Sequence, residues 1–199
     1  MLDLAGTAKY KVVNAKVISL GSTSSFTQTI TIDAGTNNGI RQNMTVITGL
    51  GLVGIVKISY PNSALVQLTT DPAFKVGARV AGSQQIGILS GQGTPKAVLQ
   101  LLDNQTTLKV GDVILARGSV NNRPFVPGVP IGQVTAVDNA AGAVTQTADV
   151  KLYVNFSTLS TVAVVVSAPK DDPRDALVPK APVPTPVPTV TIYAQPSES

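Results

Sequence analysis

Ser90 and Ser119 each stand beside a glycine, Gly91 and Gly118, in stretches whose composition reads as turns. A serine so placed could attack an acyl carbon. That attack needs an imidazole to take the hydroxyl proton and return it to the leaving group, and the chain has no histidine. A Ser–Lys pair would need a desolvated amine beside the hydroxyl, and no local motif nominates one. Ser90-Gly91-Gln92-Gly93 is read more simply as a tight turn. Histidine and cysteine are both absent, which leaves a zinc site without its usual ligands. Asp33, Asp71, Asp103, Asp112, Asp138 and Asp149 are widely spaced singletons flanked by turn residues; they form no calcium loop and read as turn caps. Two carboxyls brought together could hydrolyse a glycoside, but no spacing supports it. Gly35-Thr36-Asn37-Asn38-Gly39 has the look of a phosphate-cradling loop, yet no helix with Lys-Ser or Lys-Thr follows, so a hairpin turn is the better reading. These residues point to a chain that is not an enzyme and carries no metal or cofactor.

Charge and aromatic content narrow the partners. The net charge of +4 comes from residues such as Lys9, Lys16, Arg41, Lys57, Lys75, Arg79, Lys96 and Lys109, scattered singly between neutral neighbours. A nucleic-acid footprint would be a clustered patch with interleaved aromatics, and aromatics are only 4% of the sequence. Nucleic acid is therefore not an expected partner.

The elements that would position any site are strands. Charged residues make up 13% of the chain, Glu198 is its one glutamate, and 17 glycines and 14 prolines punctuate short runs of Val, Ile and Thr. The clearest strands are 10–18, 28–33 with strict alternation around Ile30 and Ile32, and 44–48 and 52–59 flanking Gly49-Leu50-Gly51, whose Leu50 is left at the tip of a hairpin. Runs at 64–69, 76–81, 86–90, 97–102, 113–116, 131–138, 144–156 and 162–167 follow. About a dozen short strands at this spacing suggest barrels or sandwiches. After Ala168 prolines accumulate, and residues 169–199 read as a disordered, Pro-rich tail.

Several separated motifs carry a family resemblance. Thr29-Ile30-Thr31-Ile32-Asp33-Ala34-Gly35-Thr36-Asn37-Asn38-Gly39-Ile40, Gly51-Leu52-Val53-Gly54-Ile55-Val56, Val66 to Pro72 ending in Asp-Pro, Gly87 to Gly93, Val110-Gly111-Asp112-Val113-Ile114 and Pro127 to Val134 stand in one order. In that order they resemble the rod shape-determining MreC family across nearly all of residues 10–168. The chain departs from the family at Ala116-Arg117-Gly118, and residues 119–126 read as a longer loop.

The resemblance implies an all-β fold of two small six-stranded-type β-barrels in tandem, set here at 10–82 and 83–168, with the last strand at 162–166 free to return to the first barrel. It also implies a non-catalytic scaffold of the cell-elongation machinery that binds and positions peptidoglycan synthases and maintains cell shape. The implied partners are the elongation-specific class B penicillin-binding protein, MreD and MreB in the same complex, and further copies of the chain. The family carries a cytoplasmic start, one membrane helix and a coiled coil upstream, so residues 1–9 would be a remnant of the linker from them, and this domain would lie on the extracytoplasmic, periplasmic side of a single-pass membrane protein. The readings from other classes are a cell-wall carbohydrate-binding module and a cryptic serine hydrolase. Expected partner contacts are Leu50 and the proline-flanked Arg123, Phe125 and Val126, the aromatic serving either as an interface anchor or folded back into the second barrel.

Overall fold

Twelve strands close into two barrels of six, and among the described residues there is no α-helix. The computed structural model describes residues 9–21, 28–83, 85–102, 108–138, 145–169 and 172–179. The first barrel runs β1 (Lys11–Leu20), β12 (Thr161–Ser167), β3 (Thr45–Ile47), β4 (Leu52–Ser59), β5 (Ala64–Leu68) and β2 (Thr29–Ile32) around its wall. The second runs β10 (Pro130–Asp138), β11 (Thr147–Leu152), β8 (Lys96–Leu101), β7 (Ile86–Gly91), β6 (Lys75–Val80) and β9 (Val113–Ala116). Closure leaves neither sheet an open edge.

The strand period of two decides which side chains fill each barrel. In β2, Ile30 and Ile32 are buried while Thr29 and Thr31 stay partly exposed. In β12 the run Val162 to Val165 is apolar without alternation because both faces are covered. Val162 and Val164 fill the first barrel, whereas Ala163 and Val165 join the core cluster of the second. In β4 the same division sends Val53 and Val56 inward and Leu52 and Ile55 across the seam. The barrels therefore share an apolar interface. Because β12 pairs with both β1 and β3, the first barrel cannot close until the chain has traversed the second.

Three expectations are corrected. The crossover lies at residues 69–74, earlier than the boundary after residue 82, because β6 pairs with β7 and β9 of the second barrel; alternation says which face of a strand is buried and not which sheet it joins. Residues 35–39 form a short 3₁₀ turn at Thr36–Asn38 with Gly39 in the left-handed region. They do not close a hairpin, since β2 pairs with β1 and β5. Within the stretch assigned to the tail, 172–179 is placed against the second barrel, with a 3₁₀ turn at Arg174–Leu177 and Leu177 buried. Residues 180–199 lie outside the described residues, as do 1–8.

Candidate partner-binding surface

The crossover between the barrels is a hydrogen-bonded joint centred on Asp71, which is fully buried. Its carboxylate accepts from the Gln28 N–H at 2.6 Å, the Ala73 N–H at 2.7 Å and the Gln67 amide at 3.0 Å. Three donors satisfy a charge that burial alone would make costly. Gly91 packs so closely on the carbonyls of Thr69 and Asp71 that any Cβ there would collide with backbone. The Gln28 side chain donates to the Gly93 carbonyl at 2.8 Å, and the Gly93 N–H to the Thr70 carbonyl at 2.7 Å. The glycine-rich turn after Ser90 thus grips the joint.

On the seam, residues 119–126 form a braced loop. Asn121 and Asn122 both adopt left-handed backbone, with φ of 58° and 57°, a conformation asparagine tolerates better than most residues. The Ser119 N–H donates to the Phe125 carbonyl and the Asn122 N–H to the Ser119 carbonyl, both at 2.9 Å. Thr45 of β3 reaches across: its hydroxyl donates to the Pro124 carbonyl at 2.7 Å and accepts from the Val126 N–H at 3.0 Å. A cleft of about 170 Å³ lies between this loop and the first barrel, lined by Met44, Asn122, Arg123, Val126, Val165 and Ala168. That is below the roughly 300 Å³ at which small-molecule sites begin. At the tip of the loop Val120 is 85% exposed.

The nominated contacts divide. Leu50 is 61% exposed at the β3–β4 tip, where the Leu50 N–H donates to the Thr48 hydroxyl and Gly51 approaches the Pro130 carbonyl too closely for a side chain. Arg123 is exposed on the braced loop. Phe125 and Val126 are buried, at 6% and 2%, so they are not surface contacts: Phe125 packs against Phe74 of the crossover, which proline-flanked sequence context could not reveal. Leu50 and Arg123 sit at different ends of the β3 hairpin, the first over Pro130 and the second beyond Thr45, and the structure records no contact between them. Sequence reasoning missed Val120, although an apolar residue ahead of Asn-Asn was a signal for a loop tip.

Ser90 of β7 faces Lys75 of β6 across the sheet, and Lys75 is exposed, without the desolvation that would activate an amine. Among the described aromatics only Tyr60 is exposed; Tyr10, Phe74 and Phe125 are buried, Tyr153 and Phe156 half-buried, and Phe26 lies outside the described residues. A lone ring is no sugar-stacking platform.

Tyr10 and the segment 172–177 close the other end of the seam. The buried Tyr10 hydroxyl donates to the Pro127 carbonyl at 2.5 Å. Burial pushes its pKa well above the ordinary tyrosine range, and the nearby Asp172 carboxylate adds to the effect. Asp175 pairs with Arg79 at 2.6 Å and accepts the Gly82 N–H at 2.9 Å. The Arg79 hydrogen bond, above all, holds the Asp175 carboxyl below the usual range.

The family described as rod shape-determining protein MreC, barrel core, matches residues 17–166. The cell shape-determining protein MreC of Streptococcus pneumoniae is 28% identical over 171 residues, covering 83% of this chain and 62% of the relative. That of Listeria monocytogenes is 30% identical over 170 residues, covering 82% and 57%. The chain thus spans about three fifths of the length of these curated relatives. MreC from Pseudomonas aeruginosa superposes with a TM-score of 0.70 at 27% identity, over 78% of this chain and 99% of that one. The major periplasmic domain of the cell shape-determining filament MreC gives 0.66 at 28%, over 78% and 95%. A third structure is the complex between Penicillin-Binding Protein (PBP2) and MreC from Helicobacter pylori, with a TM-score of 0.60 at 14% identity, over 78% and 99%, a likeness of fold alone.

Proposed function

Because the chain belongs to the MreC family of rod shape-determining proteins, we propose that it is a non-catalytic scaffold of the cell-elongation machinery, which binds and positions peptidoglycan synthases and so maintains cell shape. The observation that carries this reading is the braced loop at 119–126, which lifts the apolar Val120 and the cationic Arg123 into solvent while Thr45, Phe125 and Val126 hold its base. A stiff loop loses little freedom on binding, so more of its contact energy is available for affinity.

The partner in this proposal is the extracytoplasmic part of the elongation-specific class B penicillin-binding protein. Support comes from the Helicobacter pylori MreC that was solved in complex with PBP2. MreD and MreB act in the same complex, and the chain self-associates. The domain works on the extracytoplasmic, periplasmic side, a placement supported by the relative whose major periplasmic domain was solved. Among the described residues no helix is long and apolar enough to cross a membrane; the proposal includes single-pass anchoring in the cell membrane. Leu50 is proposed as a second contact.

Co-purification tests the reading. An immobilised periplasmic domain of the class B penicillin-binding protein should retain the folded chain. Failure to retain it would remove the proposed partner.

A further inference from the structure

The segment 172–177 lies beyond residues 17–166 that match the family, and it behaves as a ligand of the second barrel. It pairs with no strand. Its contacts are those of a bound peptide: the Pro173 ring lies against Gly128, where any side chain would collide with it. Asp175 takes the Arg79 guanidinium on one oxygen and the Gly82 N–H on the other. Asp172 stands 4.0 Å from a second Arg79 nitrogen, and Leu177 is buried in the second barrel's core cluster. The Arg79 side chain is 13% exposed, and its Nε and Nη2 have no hydrogen-bond partner among the described residues.

We propose that this groove is a peptide site for the pattern Asp-Pro-x-Asp-x-Leu, and that its occupant in trans is residues 172–177 of a second copy of the chain. One sequence that fits the groove is the chain's own segment 172–177, and every copy carries it. Exchange between copies preserves each contact, so concentration alone decides between the two forms. A segment tethered by a short connection competes at an effective concentration on the order of 1 mM. For the tethered form to predominate, the groove's intrinsic Kd must lie below about 1 mM.

The test uses the full chain. Asp175→Asn with Leu177→Ala weakens the tethered segment and leaves Arg79, Gly82 and Gly128 in place. A fluorescent peptide of the sequence 168–179 should bind this variant saturably with Kd below about 1 mM. Binding to the unaltered chain should be at least about twofold weaker, the factor reached when Kd equals the effective concentration. Adding Arg79→Gln should abolish saturation. Mixing the Arg79→Gln chain, whose segment is intact, with the double variant, whose groove is intact, should raise the scattering mass to two copies. No saturation up to several millimolar, on the order of the effective concentration, or binding indifferent to Arg79→Gln, would overturn the proposal. If the variants do not melt cooperatively, hydrogen exchange on the unaltered chain decides: saturating peptide should lower protection at 174–178, and unchanged protection would overturn it.

Discussion

Phe74 and Phe125 meet edge to face, ring centroids 5.5 Å apart and planes at 77°. Phe74 belongs to the crossover that enters the second barrel, and Phe125 to the loop that leaves β9. One aromatic pair thus couples the joint between the barrels to the base of the proposed contact loop.

Truncating that pair should be costly. Phe125→Ala is expected to destabilise the chain by about 3–5 kcal/mol, the range for large-to-small aromatic changes in a core. Leu50→Ala and Val120→Ala, on exposed tips, should stay within about 0.5 kcal/mol. Urea denaturation of the three variants gives the comparison. A Phe125→Ala chain with an unchanged midpoint would contradict the packing.

Thr45 offers a subtler probe. Its hydroxyl is both donor and acceptor to the loop, so Thr45→Val leaves the Val126 N–H and Pro124 carbonyl without that partner. The expected loss is about 1–3 kcal/mol. Thr45→Ser keeps the hydroxyl and should recover most of it, measured by the same denaturation midpoint.

Much of the first barrel is legible in the residues themselves. Ile30 and Ile32 alternate with threonines, and Gly49-Leu50-Gly51 marks its hairpin, because these features are local. Asp71 reads as a turn cap before proline, and it caps the joint. Allegiance to a barrel is not local, which is why the residues alone set β6 in the first barrel while it pairs in the second. Phe125 is buried through Phe74, 51 positions earlier in the sequence, and no pattern around Arg123-Pro124-Phe125 encodes that partner. The placed segment 172–177 was hidden by the surrounding prolines; its signals were two aspartates and Leu177, whose meaning depends on Arg79 far upstream.

Tyr10 predicts an alkaline limit. Its folded pKa is raised by burial, so the folded state keeps a proton that the unfolded chain gives up near pH 10. Its contribution is fully present below that value and is lost as pH rises towards the higher folded pKa. Tyr10→Phe should lose about 1 kcal/mol at neutral pH for the missing bond to Pro127. It should also show a shallower fall in melting temperature above pH 10. An identical alkaline slope in both chains would show that Tyr10 does not titrate with unfolding.

The scaffold reading is tested most directly by the affinity of the full chain for the periplasmic domain of the elongation-specific class B penicillin-binding protein, measured by interferometry. Saturable binding with Kd on the order of 10 μM or tighter is predicted. Val120→Asp combined with Arg123→Ala should weaken it at least about tenfold, or 1.4 kcal/mol, with the melting temperature unchanged. A chain that melts cooperatively yet shows no saturable binding would contradict the account.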